Sequence, residues 1–94
     1  MVIGLCTLQL QIPAASSLKD KRQVLRSVTT RVHNEFNISV AEVAQQNSRQ
    51  LATLALVCVS ADSAYVQGLM ERAVQFIRTA HAELVLLDYE TELL

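Results

Sequence analysis

The sequence predicts an α+β fold in which two helices cover one face of a four-stranded antiparallel sheet. Three features support this prediction: apolar residues that alternate near the amino terminus, two amphipathic helical segments, and the order in which strands and helices follow one another. Alternation with a period of two is typical of a strand, whereas apolar residues at i, i+3, i+4 and i+7 are typical of a helix. A chain of 94 residues is expected to form one domain, residues 1–94.

The first half of the chain predicts a strand, a helix and a second strand. Residues 2–12 alternate between two faces, and Pro13 ends this strand because proline cannot donate a hydrogen bond to a neighbouring strand. Ser16 or Ser17 can cap the helix that follows, whose apolar stripe covers about five turns. Residues 38–43 alternate again and are rich in residues that favour strands.

The second half of the chain predicts a hairpin, a second helix and a fourth strand. Residues 45–48 are polar and few enough to join two antiparallel strands. Residues 51–59 are almost wholly apolar, which suits a central strand. Residues 60–63 supply capping side chains for a helix whose apolar stripe covers residues 66–80, and residues 83–89 form the last strand.

The resulting order, β-α-β-β-α-β, is that of a ferredoxin-like sandwich. Right-handed crossovers lead us to expect the first and third strands as parallel central neighbours. The chain shows no internal repeat and no linker. A domain-swapped arrangement of the same units is the alternative.

Two helices cover only one face of the sheet, yet the predicted strands are apolar on both faces. An uncovered apolar face of this size is normally an interface, so we expect a homodimer or larger assembly. The candidate interface residues are Ile3, Leu5, Val57, Val85 and Leu87. If the third strand has the other register, Leu56 takes the place of Val57 on this face. If the fourth strand has the other register, Leu84 and Leu86 take the places of Val85 and Leu87. The alternatives are a monomer with a partly apolar face and a site for another protein.

Composition argues against several classes of function. No apolar run approaches the roughly 20 residues that span a bilayer, and the amino terminus lacks the charged region of a signal peptide. We therefore expect a cytoplasmic protein without a membrane partner, in which Cys6 and Cys58 are buried thiols. No histidine or cysteine has metal-ligand spacing, and the two glycines form no phosphate-binding loop. We expect no metal, no other cofactor and no enzymatic activity.

The charges are unevenly distributed. Five basic and two acidic residues between Ser17 and Phe36 give this segment a net charge of +3, and the rest of the chain carries −4. A basic helix face can follow a line of phosphates, although such cations can also merely keep a helix face solvated. The candidate contacts for RNA or another polyanion are Lys19, Lys21, Arg22, Arg26, Arg31 and Arg49. The first and third strands contain no aromatic residue, so base stacking on the sheet is not expected.

Lys21 falls within the apolar stripe of the first helix, close to its amino terminus, where a cation opposes the helix dipole. One explanation is that this turn overhangs the sheet and that the lysine side chain extends to water. The other is a buried ion pair or a bound anion. Glu42 is the candidate partner, because it shares a strand face with Ile38 and Val40.

Two sequence runs carry a resemblance to a known family. The run SLKDKR from Ser17 to Arg22 and the run FNISVAE from Phe36 to Glu42 resemble the YlxP-like family of small bacterial proteins, a domain of unknown function. The resemblance covers essentially the whole chain and implies a ferredoxin-like fold and a cytosolic location, without established catalytic residues. The family-typical positions are Lys19, Lys21, Arg22, Phe36, Asn37 and Glu42. Members are often encoded beside transcription-termination, translation-initiation and ribosome-maturation factors, which implies a role near the ribosome or RNA.

Three hypotheses for function follow. The first is a non-enzymatic protein that binds the ribosome, ribosomal RNA or another polyanion through the basic first helix. The second is a protein-interaction or assembly module that binds through the open sheet face. The third is a dimeric regulatory domain for a small molecule, with Lys21 and Glu42 as the first residues to test.

Overall fold

The computed structural model describes residues 1–94 and contains six elements in the predicted order. The elements are β1 (Val2–Gln11), α1 (Leu18–Glu35), β2 (Ser39–Ala44), β3 (Leu51–Ser60), α2 (Ser63–Arg78) and β4 (Val85–Leu93). The predicted ferredoxin-like α+β fold is thus confirmed. The largest difference from the predicted boundaries is in β4, which continues past its expected end at Tyr89 to Leu93. No helix is both long enough and apolar enough to cross a membrane.

Both helices begin at a side chain that accepts hydrogen bonds from the first turn. The side chain of Ser17 accepts from the backbone N–H of Asp20 at the start of α1. The side chain of Asp62 accepts from the N–H groups of Ala64 and Tyr65 at the start of α2. These caps satisfy N–H groups that have no partner within the helix.

The strand order in the sheet is β2-β3-β1-β4, and every neighbouring pair is antiparallel. The expected parallel pairing of β1 and β3 is therefore wrong. The crossover through α1 makes β1 and β2 run in the same direction. The chain then turns back from β2 through a hairpin, so β3 lies between β1 and β2 and runs opposite to both.

The core lies between the helices and one face of the sheet. Alternate residues of β1 and the segment after it are fully buried: Cys6, Leu8, Leu10 and Ile12. On β3, Leu56 pairs with Cys6 and is buried, whereas Val57 is exposed on the other face. The register that places Val57 outward is therefore the one that the chain adopts. Leu84, just before β4, is likewise buried, and Val85, the first residue of β4, is exposed.

No helix covers the other face of the sheet. At one end of this open face, Leu5 of β1 lies opposite Val57 of β3. Val85 instead lies opposite Gln11, six positions along β1 and thus about 20 Å from Leu5 at the usual rise per residue. Leu87 falls where the pairing of β1 with β4 shifts register. The five candidate interface residues therefore do not form a single patch.

Candidate functional site

The amino-terminal turn of α1 is held by hydrogen bonds on both sides of the helix start. Besides the Ser17 cap, the Asp20 carboxylate accepts from both the backbone N–H and the hydroxyl of Ser16, at 3.1 and 2.8 Å. These hydrogen bonds lower the pKa of Asp20 from its ordinary value, because they favour the charged carboxylate. Both serines thus stabilise the start of α1. The Asp20 carboxylate, although next to Lys19 in the sequence, binds Ser16.

Lys21 points inward from the same turn and is fully buried. Its ammonium nitrogen donates to the carbonyl oxygens of Gln45 and Leu51, at 2.8 and 3.1 Å. It also lies 3.0 Å from Oε2 of Glu42, whose side chain is 22% exposed. Glu42 Oε2 accepts no hydrogen bond of favourable geometry, so this contact is best described as an ion pair. Lys21 thereby connects α1 to both ends of the β2–β3 connection.

The backbone of that connection adopts an unusual conformation where it meets Lys21. Gln45 has φ of 64°, the left-handed region that residues other than glycine rarely occupy. The carbonyl of this same residue accepts from the Lys21 ammonium. The pairing of β2 with β3 also shifts register between Glu42 and Ala44. The hydrogen bond from Lys21 therefore helps to hold a locally strained turn.

Burial changes the roles that the sequence left open for Lys21. A lysine with no exposed surface and three oxygen atoms around its ammonium is not available to a phosphate. Lys21 is therefore removed from the candidate contacts for a polyanion. The same occupancy leaves this ammonium no free position for a small anion, which weakens the regulatory hypothesis at this pair.

Three of the four exposed Lys and Arg side chains of α1 lie close together on its outer surface: Lys19, Arg22 and Arg26, which we call the α1 basic face. Their spacing places them within one arc of the helix. The ion pair between Lys21 and Glu42 is the only one in the structure. None of the three cations of the α1 basic face therefore forms an ion pair.

Arg26 lies where two shallow depressions meet. One has a volume of about 390 Å³ and is lined only by polar side chains: Gln23, Arg26, Ser27, Thr30 and Arg31. The other, of about 280 Å³, lies between α1 and β2 and includes Arg22, Arg26 and Glu42. The first is the better match for a phosphate, because guanidinium, hydroxyl and amide groups surround it and no carboxylate does.

The two remaining candidate cations occupy other surroundings. Arg31 is exposed, and its Nη1 donates a hydrogen bond to the carbonyl of Ala80, beyond the end of α2. Arg49 lies in the β2–β3 connection and lines a separate open depression of about 610 Å³ beside Ser16. The structure thus brings Arg31 to the edge of the α1 basic face and leaves Arg49 apart from it.

The two thiols lie inside the core. Cys6 is fully buried and Cys58 is 7% exposed. Burial raises the pKa of the Cys6 thiol, an effect that a hydrogen bond with Thr91 partly offsets. Burial likewise raises the pKa of Cys58. Thiols of this kind are poor nucleophiles, since the thiolate is the reactive form.

No group of three or more His, Cys, Asp or Glu side chains is arranged to hold a metal ion.

Comparison with known proteins agrees with this fold. The sequence profile of DUF503, described as "Protein of unknown function", matches residues 3–91. The chain belongs to the DUF503 family. A curated relative is the "Uncharacterized protein YlxP" of Bacillus subtilis (strain 168), 34% identical over 76 residues, which are 81% of this chain and 83% of the relative. The resemblance to YlxP-like proteins is thus confirmed.

Among solved structures, this DUF503 protein is similar to the de novo designed protein Foldit4. The two are 12% identical, the match covers 98% of this chain and 96% of the designed one, and the TM-score is 0.53. At that identity the likeness concerns the fold alone, which hosts many unrelated functions. Function in this DUF503 protein therefore has to be argued from its own surface.

Proposed function

We propose that this protein is a non-enzymatic RNA-binding protein that associates with ribosomal particles through the α1 basic face. The observation that carries the proposal is that Lys19, Arg22 and Arg26 are exposed side by side and that none of them forms an ion pair. The protein as a whole has a net charge of −1, so this face is a local concentration of positive charge. Such a concentration favours a polyanion, because each neutralised phosphate releases counterions.

The distribution of aromatic side chains supports recognition of phosphates over recognition of bases. Phe36 and Phe76 pack edge to face against each other, with ring centroids 5.4 Å apart, and both adjoin the core. No aromatic side chain accompanies the α1 basic face. Binding is therefore expected to depend on salt and to show little preference for sequence, as is typical of phosphate contacts.

The experiment is co-sedimentation of the protein with ribosomal particles on sucrose gradients, at low and near-physiological salt. The variant is Arg22→Glu with Arg26→Glu. The matched control is Arg72→Glu with Arg78→Glu, because these two arginines are exposed on α2 and their reversal changes the net charge by the same amount. We expect the wild type and the control to migrate with a particle, and the α1 variant to stay at the top.

A second measurement uses purified ribosomal RNA and follows affinity against salt concentration. The α1 variant should lose affinity, and the slope of log K against log salt should become shallower by roughly 0.7–0.9 for each lost phosphate contact. Equal effects of the α1 and α2 variants would mean that net charge alone matters and would overturn the proposed site. Absence of binding by the wild type at low salt would overturn the proposed function.

A further inference from the structure

The open face of the sheet has an apolar end and a row of acidic residues along one edge. The apolar end consists of Ile3, Leu5, Val57 and Val59, of which Val57 is 39% and Val59 63% exposed. The row along β4 consists of Asp88, Glu90 and Glu92, which lie opposite Gln9, Thr7 and Leu5 of β1. All three acidic residues are exposed and lack an ion-pair partner.

The area of this face is compatible with a stable dimer. Strands about 4.8 Å apart, with a rise of about 3.3 Å per residue, give a four-stranded sheet of this length a face of roughly 600 Å². Two such faces would bury roughly 1,200 Å², the lower end of the range for stable interfaces. The apolar end would supply the apolar area from which such an interface excludes water.

The acidic row along β4 determines which orientation of two copies is favourable. When two sheets pack with their strands aligned, a two-fold axis between them runs either across the strands or along them. An axis across the strands would set β4 against β4, so that the acidic rows repel each other, and would place the apolar end around Leu5 over the end that carries Gln11 and Val85. An axis along the strands sets each apolar end on the other. It also places β4 over β2 of the second copy, where the outward residues Ser39 and Ala41 are uncharged.

We propose that the open face binds a second copy of this chain, with the two-fold axis along the strands. The apolar ends around Leu5 and Val57 pack against each other, and the two sheets cross at the angle of roughly 30° that aligned sheets adopt. Glu92 of each copy then lies near Ser39 of the other. This arrangement leaves both α1 basic faces on the outside of the dimer, so it is independent of RNA binding.

The first experiment is sedimentation equilibrium of the full chain over a range of concentrations. The wild type should dimerise, and Val59→Asp should raise the dimer Kd by roughly 100-fold or more, because it buries an unpaired charge at the interface. Val59 is more than half exposed in one chain, so this variant should fold, which circular dichroism checks. The matched control is Tyr65→Asp on α2, where the replaced side chain is also more than half exposed, and this change should leave the Kd unchanged.

A second pair of variants tests the direction of the axis. Ser39→Lys should lower the dimer Kd by roughly 10-fold, since two symmetric pairs with Glu92 form, and Ser39→Glu should raise it by a similar factor. A wild type that stays monomeric would overturn the proposal. A dimer that is insensitive to Val59→Asp would show that another surface is used. A dimer that responds equally to both Ser39 variants would overturn the proposed axis.

Discussion

The ammonium nitrogen of Lys21 lies 3.0 Å from Oε2 of Glu42, across the interface between α1 and β2. The two side chains differ in burial: that of Lys21 has no exposed surface, whereas 22% of the surface of the Glu42 side chain is exposed. Two backbone carbonyls complete the surroundings of the ammonium. Loss of Lys21 would leave two carbonyls and the buried Oε2 of Glu42 without a partner, whereas loss of Glu42 would leave both carbonyls bound to the ammonium.

The first prediction is therefore that the two halves of this pair differ in their contribution to stability. Lys21→Met should lower the free energy of unfolding by about 3 kcal/mol, because it leaves two carbonyls without their donor and a carboxylate without its ion-pair partner. Glu42→Gln should lower it by only about 1 kcal/mol, since the lysine keeps both carbonyls. Urea unfolding followed by circular dichroism measures both values.

The double variant supplies the control for this first prediction. If the two side chains interact as the structure indicates, the effects of Lys21→Met and Glu42→Gln should not add, and the coupling should amount to about 1 kcal/mol. Additive effects, or a Lys21→Met variant as stable as the wild type, would contradict a buried anchor at this position.

Lys21 also illustrates what the sequence can predict and where it stops. Its place in the apolar stripe indicated burial, and the strand alternation placed Glu42 on the inward face. The carbonyls of Gln45 and Leu51 were not predictable, because every residue carries a carbonyl and no side-chain pattern marks one as an acceptor. Their positions depend on a left-handed residue and a register shift in the hairpin, both of which arise only from three-dimensional packing.

The open face shows the same limit for the strands. The run from Leu51 to Val59 is apolar on both faces, so it offers no contrast from which to choose between Leu56 and Val57. The pairing of Leu56 with Cys6 places Leu56 in the core and Val57 on the open face. On β4 a register shift next to Leu87 breaks the strict alternation on which a sequence prediction relies. Val85, one of the predicted interface residues, therefore lies on the open face but at the opposite end from Leu5 and Val57.

The second prediction concerns the close approach of α2 to β1 at Gly4. A Cβ atom at this position would lie 2.4 Å from Cγ1 of Val66, 3.2 Å from Cε of Met70 and 3.3 Å from Sγ of Cys58. Val66 is fully buried and β-branched, so it has little freedom to move away. We expect Gly4→Ala to lower the free energy of unfolding by about 3 kcal/mol through overpacking, as measured by thermal or urea unfolding.

Gly68 offers a matched control for this substitution. A Cβ atom there would meet only the end of the flexible Arg72 side chain, at 3.2 Å, and the residue lies within α2. Because alanine favours a helix over glycine, Gly68→Ala should raise the free energy of unfolding by about 0.5–1 kcal/mol. Effects of the same sign at both glycines would contradict the close approach described for β1 and α2.

The third prediction concerns the stability of the protein at alkaline pH. Burial raises the pKa of Cys6 and of Cys58 above the ordinary value of 9.0, so the native state holds these protons at a pH where the unfolded chain has released them. The stabilisation is fully present below pH 9.0 and is lost as the pH rises through the native pKa values. The free energy of unfolding should therefore fall above that pH, and the Cys6→Ala, Cys58→Ala double variant should show a shallower fall.

Alkylation by iodoacetamide at pH 8 gives an independent check of the burial of both thiols. Each thiol should react at least roughly 100-fold more slowly in the native protein than in urea, because reaction requires opening of the core. Rapid alkylation of either thiol in the folded protein, or an unchanged pH dependence in the double variant, would contradict the burial of these side chains between the sheet and α2.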